Sequence, residues 1–297
     1  MEAMIPVVDF QKLILSEEEE CKKLREACEK WGCFRVINHF IPQTLMAETK
    51  LVAKHLHDLP KETKMRNKCI ISDSGYVSSE AISPFFEALG IYDMHGSPNA
   101  VQDFCSHLNV SPHHRKIMKA YLEAIHDLTS RVSQKIAETL GMRDIDFKDW
   151  PFLFKFIKYD FTPKTIGTSG TQLHSDTGFI TVLQDDENVS GLELMDESSS
   201  FKTITPKLGS FLCIIGDVGH VWSNGRFWNV RHRVICKEGT TRYSMGAFVL
   251  SSRDGNVEAP PKLVKLDRAR LYRPFKYEDL REHRINKLKG FDEFLID

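Results

Sequence analysis

The chain has 297 residues, and its 40 Lys and Arg stand against 41 Asp and Glu, a formal net charge of -1. Such a balance gives no electrostatic reason to expect a nucleic acid or an anionic membrane as partner, and it favours a small ligand. Hydrophobic residues make up 41% of the chain without forming a membrane-length run, MEAMIPVVDF lacks the make-up of a signal peptide, and the seven cysteines fit neither a disulfide framework nor paired zinc hooks. The expectation is a soluble monomer of the cytoplasm or nucleus, with reduced thiols and no membrane or nucleic-acid partner.

In chain order, IPVVDF reads as a short strand, and Glu17 to Trp31 carries a helical pattern with Ser16 as its N-cap and Glu19 three positions on. Cys33 to Ile37 is the next apolar run and reads as a strand. Helical spacing returns over 44–58 and 112–141. In the second of these, Tyr121, Leu122, Ile125, Leu128, Val132, Ile136 and Leu140 recur at steps of three or four before Gly141 ends the pattern. From Phe152 to Leu250 the texture changes to short apolar or alternating runs: FLFKFIKY, FITVL, GLEL, FKTITP, SFLCIIG, RVIC and YSMGAFVL. Closely spaced strands of this kind predict a sandwich, jelly roll or barrel. The tail, Lys276 to Phe294, reads as a charged helix. No repeat or linker divides the chain, so one catalytic unit is expected, with an N-terminal, largely helical region over 1–150, a β core over 151–252 and a C-terminal strand and helix over 253–297.

The chemistry lies in the β-rich part. Residues two apart on a strand share a face, so His174 and Asp176 in QLHSDTG project together. In NVRHRVIC, His232 falls on the apolar face with Val230, Val234 and Cys236, while Arg231 and Arg233 take the other. Two imidazoles and a carboxylate are the donor set of non-haem Fe(II) oxygenases, which leaves coordination positions open for a co-substrate and O₂. An isolated His-x-Asp is a weak signal, and one His on an apolar face is more often a core residue; the order, strand context and shared faces together give the pattern weight. Ten residues after His232, Arg242 and Ser244 share an inward face with Gly246, Phe248 and Leu250. A buried guanidinium needs an anion, and a dicarboxylate co-substrate would supply one, held by two parallel hydrogen bonds and the serine hydroxyl.

These segments resemble the plant 2-oxoglutarate- and Fe(II)-dependent dioxygenases over nearly the whole chain. IPVVDF, ACEKWGCFRVINHFIP and LHDLPKETKMRN resemble the family's N-terminal region and its following helix. HSDTGFITVLQDD, GLEL, GSFLCIIGDVGHVWSNGRF, VRHRVI and RYS follow in the family's order. The resemblance implies a double-stranded β-helix (jelly roll, cupin-like) core, mainly β with flanking helices. It also implies Fe(II) on His174, Asp176 and His232, and 2-oxoglutarate bound by Arg242, Ser244 and Tyr159, with O₂ consumed and ascorbate as reductant. Three departures stand out: Ile157 where the family has Asn, Phe40 where it usually has Gly, and Thr177 where Pro often follows the Asp.

Within the family the chain is similar to the dioxygenases for auxin oxidation, which convert indole-3-acetic acid or its amino-acid conjugates to the 2-oxindole form; GYVSSEAISPFFEALGIYD and DFCSHLN contribute to that likeness. It implies a small carboxylic acid as substrate. Phe248, on the face of Arg242, is either a stacking platform or an ordinary core aromatic, and Lys155, on the side of Ile157 and Tyr159, is either a carboxylate partner or a surface lysine. Phe85, Phe86 and Phe179 are further pocket candidates. The rival readings are the same chemistry on a gibberellin, a flavonoid precursor or a glucosinolate-related compound, a ligand sensor without activity, and a zinc hydrolase. Cys28 and Cys33 are expected to be inert buried thiols, and His220 structural.

Overall fold

The computed structural model describes residues 5–78, 83–265, 269–285 and 291–296. Strand β1 (Val7–Asp9) runs straight into helix α1 (Phe10–Ile14), because the Asp9 carboxylate accepts the Gln11 and Lys12 amides at the helix start. Ser16 does not cap the next helix. It sits at φ 58 and ends α1, its amide bonded to the Leu13 carbonyl at 3.0 Å while the Glu17 amide reaches the Lys12 carbonyl at 3.2 Å. Helix α2 (Glu18–Glu26) starts without a side-chain cap and passes into a π-helical turn, Ala27–Trp31, closed by Gly32 in the left-handed region. After β2 (Cys33–Ile37) come α3 (Gln43–His57) and the single turn α4 (Lys61–Lys64).

Two strands that periodicity did not reveal follow, β3 (Tyr76–Ser78) and β4 (Phe86–Tyr92), then α5 (Ala100–His107) and the long α6 (Pro112–Thr139). Ser111 caps α6, and Gly141 at φ 74 ends the helical path as its spacing predicted. The remaining strands are β5 (Phe152–Tyr159), β6 (Ser169–His174), β7 (Ile180–Gln184), β8 (Leu192–Met195), β9 (Phe201–Thr203), β10 (Phe211–Ile215), β11 (His232–Ile235) and β12 (Arg242–Val249). Helix α7 (Asp217–Trp222) lies between β10 and β11, and β13 (Asn256–Val257), α8 (Pro261–Lys265), β14 (Phe275–Lys276) and α9 (Tyr277–Ile285) complete the order. The expected tail helix is α9 followed by a 3₁₀ turn, Phe291–Phe294, with 286–290 outside the described residues.

An eight-stranded sheet, β1-β2-β10-β7-β12-β5-β4-β3, faces a four-stranded sheet, β6-β11-β8-β9, in a double-stranded β-helix. Alternation along β5 shows how this makes two cores. Phe152, Phe154 and Phe156 join the cluster under α3 and α6, whereas Ile157 and Tyr159 join a second cluster with Leu183, Leu192, Ile214 and Val234 between the sheets. Among the described residues no helix is long and apolar enough to cross a membrane. All seven cysteines are free. Burial pushes the Cys28 and Cys33 thiols up, Cys33 to about 12, so both stay protonated and unreactive at neutral pH.

Candidate metal centre

The antiparallel ladder of β6 and β11 pairs His174 directly with His232 and brings their ring centroids to 4.3 Å. β6 ends at His174, so Asp176 is not on the strand as alternation predicted but in the turn just after it. Asp176 nonetheless turns inward: its Oδ1 lies 3.7 Å from His174 Nε2 and 3.8 Å from His232 Nε2. Among the described residues this is the one group of three His, Cys, Asp or Glu side chains whose ligand atoms converge, all within 4.8 Å of one another.

The surroundings prepare these donors. His174 Nδ1 is 2.8 Å from the Gln172 carbonyl, which holds the proton there and leaves Nε2 as the free donor. Burial, helped by His232, pushes the His174 pKa down to about 4, so the ring is neutral at physiological pH. Burial alone would raise Asp176, but the two imidazoles, the Thr181 hydroxyl and Arg284 outweigh it and keep the carboxylate ionised. Two imidazoles and one carboxylate fit a divalent iron; first-row donors stand about 3 Å apart when each is about 2.1 Å from the metal, so sub-ångström adjustments suffice.

The triad opens on a cavity of about 520 Å³ between the sheets. At one end Arg242 and Tyr159 are paired in register, with the guanidinium carbon 5.4 Å from the phenol ring centroid. Arg242 Nη1 donates toward Ser244 Oγ at 3.4 Å, and the Tyr159 hydroxyl lies 2.9 Å from Thr171 Oγ1. The buried guanidinium already has an anion beside it, because Nη2 donates to Asp185. Its Nε has no partner among the described residues. One nitrogen of the guanidinium, Nη2, is therefore held from within the protein.

Toward the other end, Lys155 and Phe248 line the cavity with Leu153, whereas Phe86 lies beside Tyr159, its ring centroid 5.6 Å away. The Lys155 ammonium lies 5.9 Å from the Phe248 ring centroid, and burial pushes its pKa down. Gly246 makes room, since a Cβ there would meet the Phe248 ring at 2.7 Å. Two of the expected pocket aromatics do not reach the cavity. Phe179 is fully buried among Phe147, Trp150 and Trp222, because its amide is anchored to the Val249 carbonyl and the ring turns toward the helical layer. Phe85 packs on Phe161 with centroids 5.9 Å apart, one residue before the strand that carries Phe86 inward.

The N-terminal region, residues 5–121, matches the family described as non-haem dioxygenase in morphine synthesis N-terminal, and residues 151–251 match the 2OG-Fe(II) oxygenase superfamily. A 2-oxoglutarate-dependent dioxygenase DAO of Oryza sativa is 44% identical over 269 residues, covering 90% of this chain and 89% of the relative. The chain belongs to the 2-oxoglutarate-dependent dioxygenases. The crystal structure of the dioxygenase for auxin oxidation in rice superposes with a TM-score of 0.88 at 42% identity, covering 98% of both chains. The binary complex of dioxygenase for auxin oxidation 1 from Arabidopsis thaliana with 2-oxoglutarate gives 0.83 at 46%, covering 90% of this chain and all of that one. The dioxygenase thus works with Fe(II), 2-oxoglutarate and O₂.

The departures from the family pattern have local explanations. Phe40 sits at φ 64, the left-handed region where glycine is free of strain, and is 62% exposed. The Thr177 hydroxyl is 3.0 Å from the Tyr277 hydroxyl, a tie to α9 that proline could not make. His220 is structural, with Nδ1 2.6 Å from the Phe227 carbonyl and Nε2 2.9 Å from the Tyr272 hydroxyl. Sequence reasoning missed Asp185, Asp217 and Arg284. Fully buried Asp217 accepts from Arg284 and from Asn229 Nδ2 at 2.8 Å, and Arg284 also donates to Ser175, between the two candidate ligands, at 2.6 Å. Asp185 was legible in principle, since it continues the inward alternation of Thr181 and Leu183; the partners of Asp217 lie too far along the chain for any pattern to reveal.

Proposed function

We propose that this dioxygenase oxidises indole-3-acetic acid, or its amino-acid conjugates, to the 2-oxindole form, with His174, Asp176 and His232 holding the Fe(II). The observation that carries the reading is the likeness along 98% of the chain to a dioxygenase for auxin oxidation. Bound Fe(II) and 2-oxoglutarate supply the O₂-activating chemistry, in which the co-substrate ends as succinate and CO₂ and one oxygen atom goes to the substrate.

The chain's own residues bind and orient. Arg242, Ser244 and Tyr159 hold the far carboxylate of 2-oxoglutarate at the end where β12 and β5 begin and finish. Leu183, Leu192, Ile214 and Val234 form the apolar wall that keeps water out. Lys155 receives the substrate carboxylate and Phe248 stacks on the indole. Lys155 and Tyr159 are four residues apart on one strand face, about 13 Å, so the two acids do not compete for one cation. The seven unpaired thiols support a cytoplasmic or nuclear location.

The test is succinate release from the iron-loaded protein given 2-oxoglutarate and a panel of acids. Stimulation by indole-3-acetic acid or its aspartate or glutamate conjugates is expected. If all of these fail while a gibberellin or a flavonoid precursor succeeds, the assignment is wrong; if no acid stimulates turnover, the sensor reading replaces it.

A further inference from the structure

The Arg242 guanidinium faces the cavity already engaged. Asp185 lies one residue beyond β7, on the face of Thr181 and Leu183, and its side chain is only 5% exposed. It accepts from Arg242 Nη2, and its Oδ1 also accepts the Asp186 amide at 3.0 Å, which fixes the carboxylate in place. The adjacent acid is engaged elsewhere, since Asp186 accepts from Lys50 Nζ and the Tyr243 amide, each at 2.9 Å, and from the Asn188 and Val189 amides. Asp185 is thus the acid that neutralises the Arg242 guanidinium when no other anion is there. Nη1 donates toward Ser244, and Nε has no partner among the described residues.

We propose that Asp185 is an internal counter-ion that competes with the far carboxylate of 2-oxoglutarate for Arg242, and so sets the co-substrate requirement of the enzyme. This rests on the reading of Arg242 as the co-substrate clamp. Two carboxylates on one guanidinium repel each other in a water-poor site, so the second binds more weakly than it would to a free Arg. Asp185 is a positioning residue: it aims the guanidinium and keeps it from being a buried, uncompensated charge before 2-oxoglutarate arrives.

Asparagine keeps an oxygen for Nη2 and removes the charge, whereas alanine removes both. Calorimetric titration of 2-oxoglutarate into the metal-loaded protein without O₂ should show Asp185→Asn binding about tenfold or more tighter than wild type, since two like charges a few ångströms apart no longer oppose each other. Asp185→Ala should bind less tightly than the Asn variant, for want of the aim. In thermal melts, Asp185→Asn should unfold earlier than wild type without co-substrate and gain more from adding it. Unchanged or weaker binding by Asp185→Asn overturns the proposal.

A wild-type measurement covers the case in which the variants do not fold. Wild type should prefer 2-oxoglutarate over its far-end amide by less than the roughly tenfold to hundredfold that an unopposed guanidinium gives; a larger preference refutes the competition. Arg242→Met separates the two layers of the argument. If it binds 2-oxoglutarate normally, the clamp reading fails; if it loses binding while Asp185→Asn matches wild type, only the competition fails.

Discussion

Replacing Lys155 by methionine keeps the length and the apolar stem of the side chain while removing its charge. The ammonium projects from the middle of β5 into the cavity beside the Phe248 ring, and burial already weighs against its charged form. A hydrogen bond to a charged group contributes about 1.5–3 kcal/mol. At about 1.4 kcal/mol per tenfold, losing it should lower kcat/KM for an indole carboxylic acid by roughly tenfold to 150-fold. The assay is turnover of indole-3-acetic acid beside the neutral indole-3-acetamide at saturating 2-oxoglutarate. The acid should lose and the amide should not, so the preference for acid over amide collapses in the variant. If the acid keeps its kcat/KM within about threefold, or acid and amide fall together, Lys155 does not receive the substrate carboxylate.

Other outcomes follow from single side chains. His232→Ala should retain little iron after dialysis, read by metal analysis of the purified protein, because two of three donors remain; stoichiometric iron in that variant would contradict the ligand assignment. His126 is buried against His95 at a centroid distance of 3.8 Å, and burial together with that ring pushes its pKa down to about 4. Its unfolded form takes up a proton near pH 6.5 and its folded form does not until about 4, so folding stability should fall by up to about 3 kcal/mol as pH drops across that window. Denaturant titrations of wild type and His126→Gln should show the wild type losing more stability than the variant there, and parallel losses would count against it. Phe40→Gly should raise stability by up to about 1 kcal/mol, or about 2 °C in Tm, because the left-handed strain at φ 64 outweighs one edge contact with Phe10 at 6.2 Å; a lower Tm would mean that the ring contact dominates.

Some features escaped the sequence for identifiable reasons. The β4 strand carries Glu87 near its start, which breaks an apolar pattern, yet the carboxylate is satisfied by Lys64 at 2.7 Å and His57 at 3.1 Å from a different part of the chain. Ser16 has the residue type of an N-cap and a run of glutamates after it, but its amide is drawn into the end of α1, a competition that residue preferences do not rank. Phe179 and Phe248 are both aromatic residues on strands or beside them, and only the direction of each backbone separates core from cavity.

Side-chain alternation with a period of two is a local property of extended backbone, so the sequence alone determined which residues of β11, β12 and β5 turn inward: His232, Arg242, Ser244, Lys155 and Tyr159 all lie on the predicted faces. Register and distance between segments are not local. The tertiary structure decided that His174 pairs with His232, that Asp176 completes the group from a turn rather than a strand, and that Asp185 reaches Arg242 across 57 positions. Each of those meetings depends on which strands lie side by side, and that is set by packing of the two sheets around their shared apolar filling rather than by any short stretch of residues.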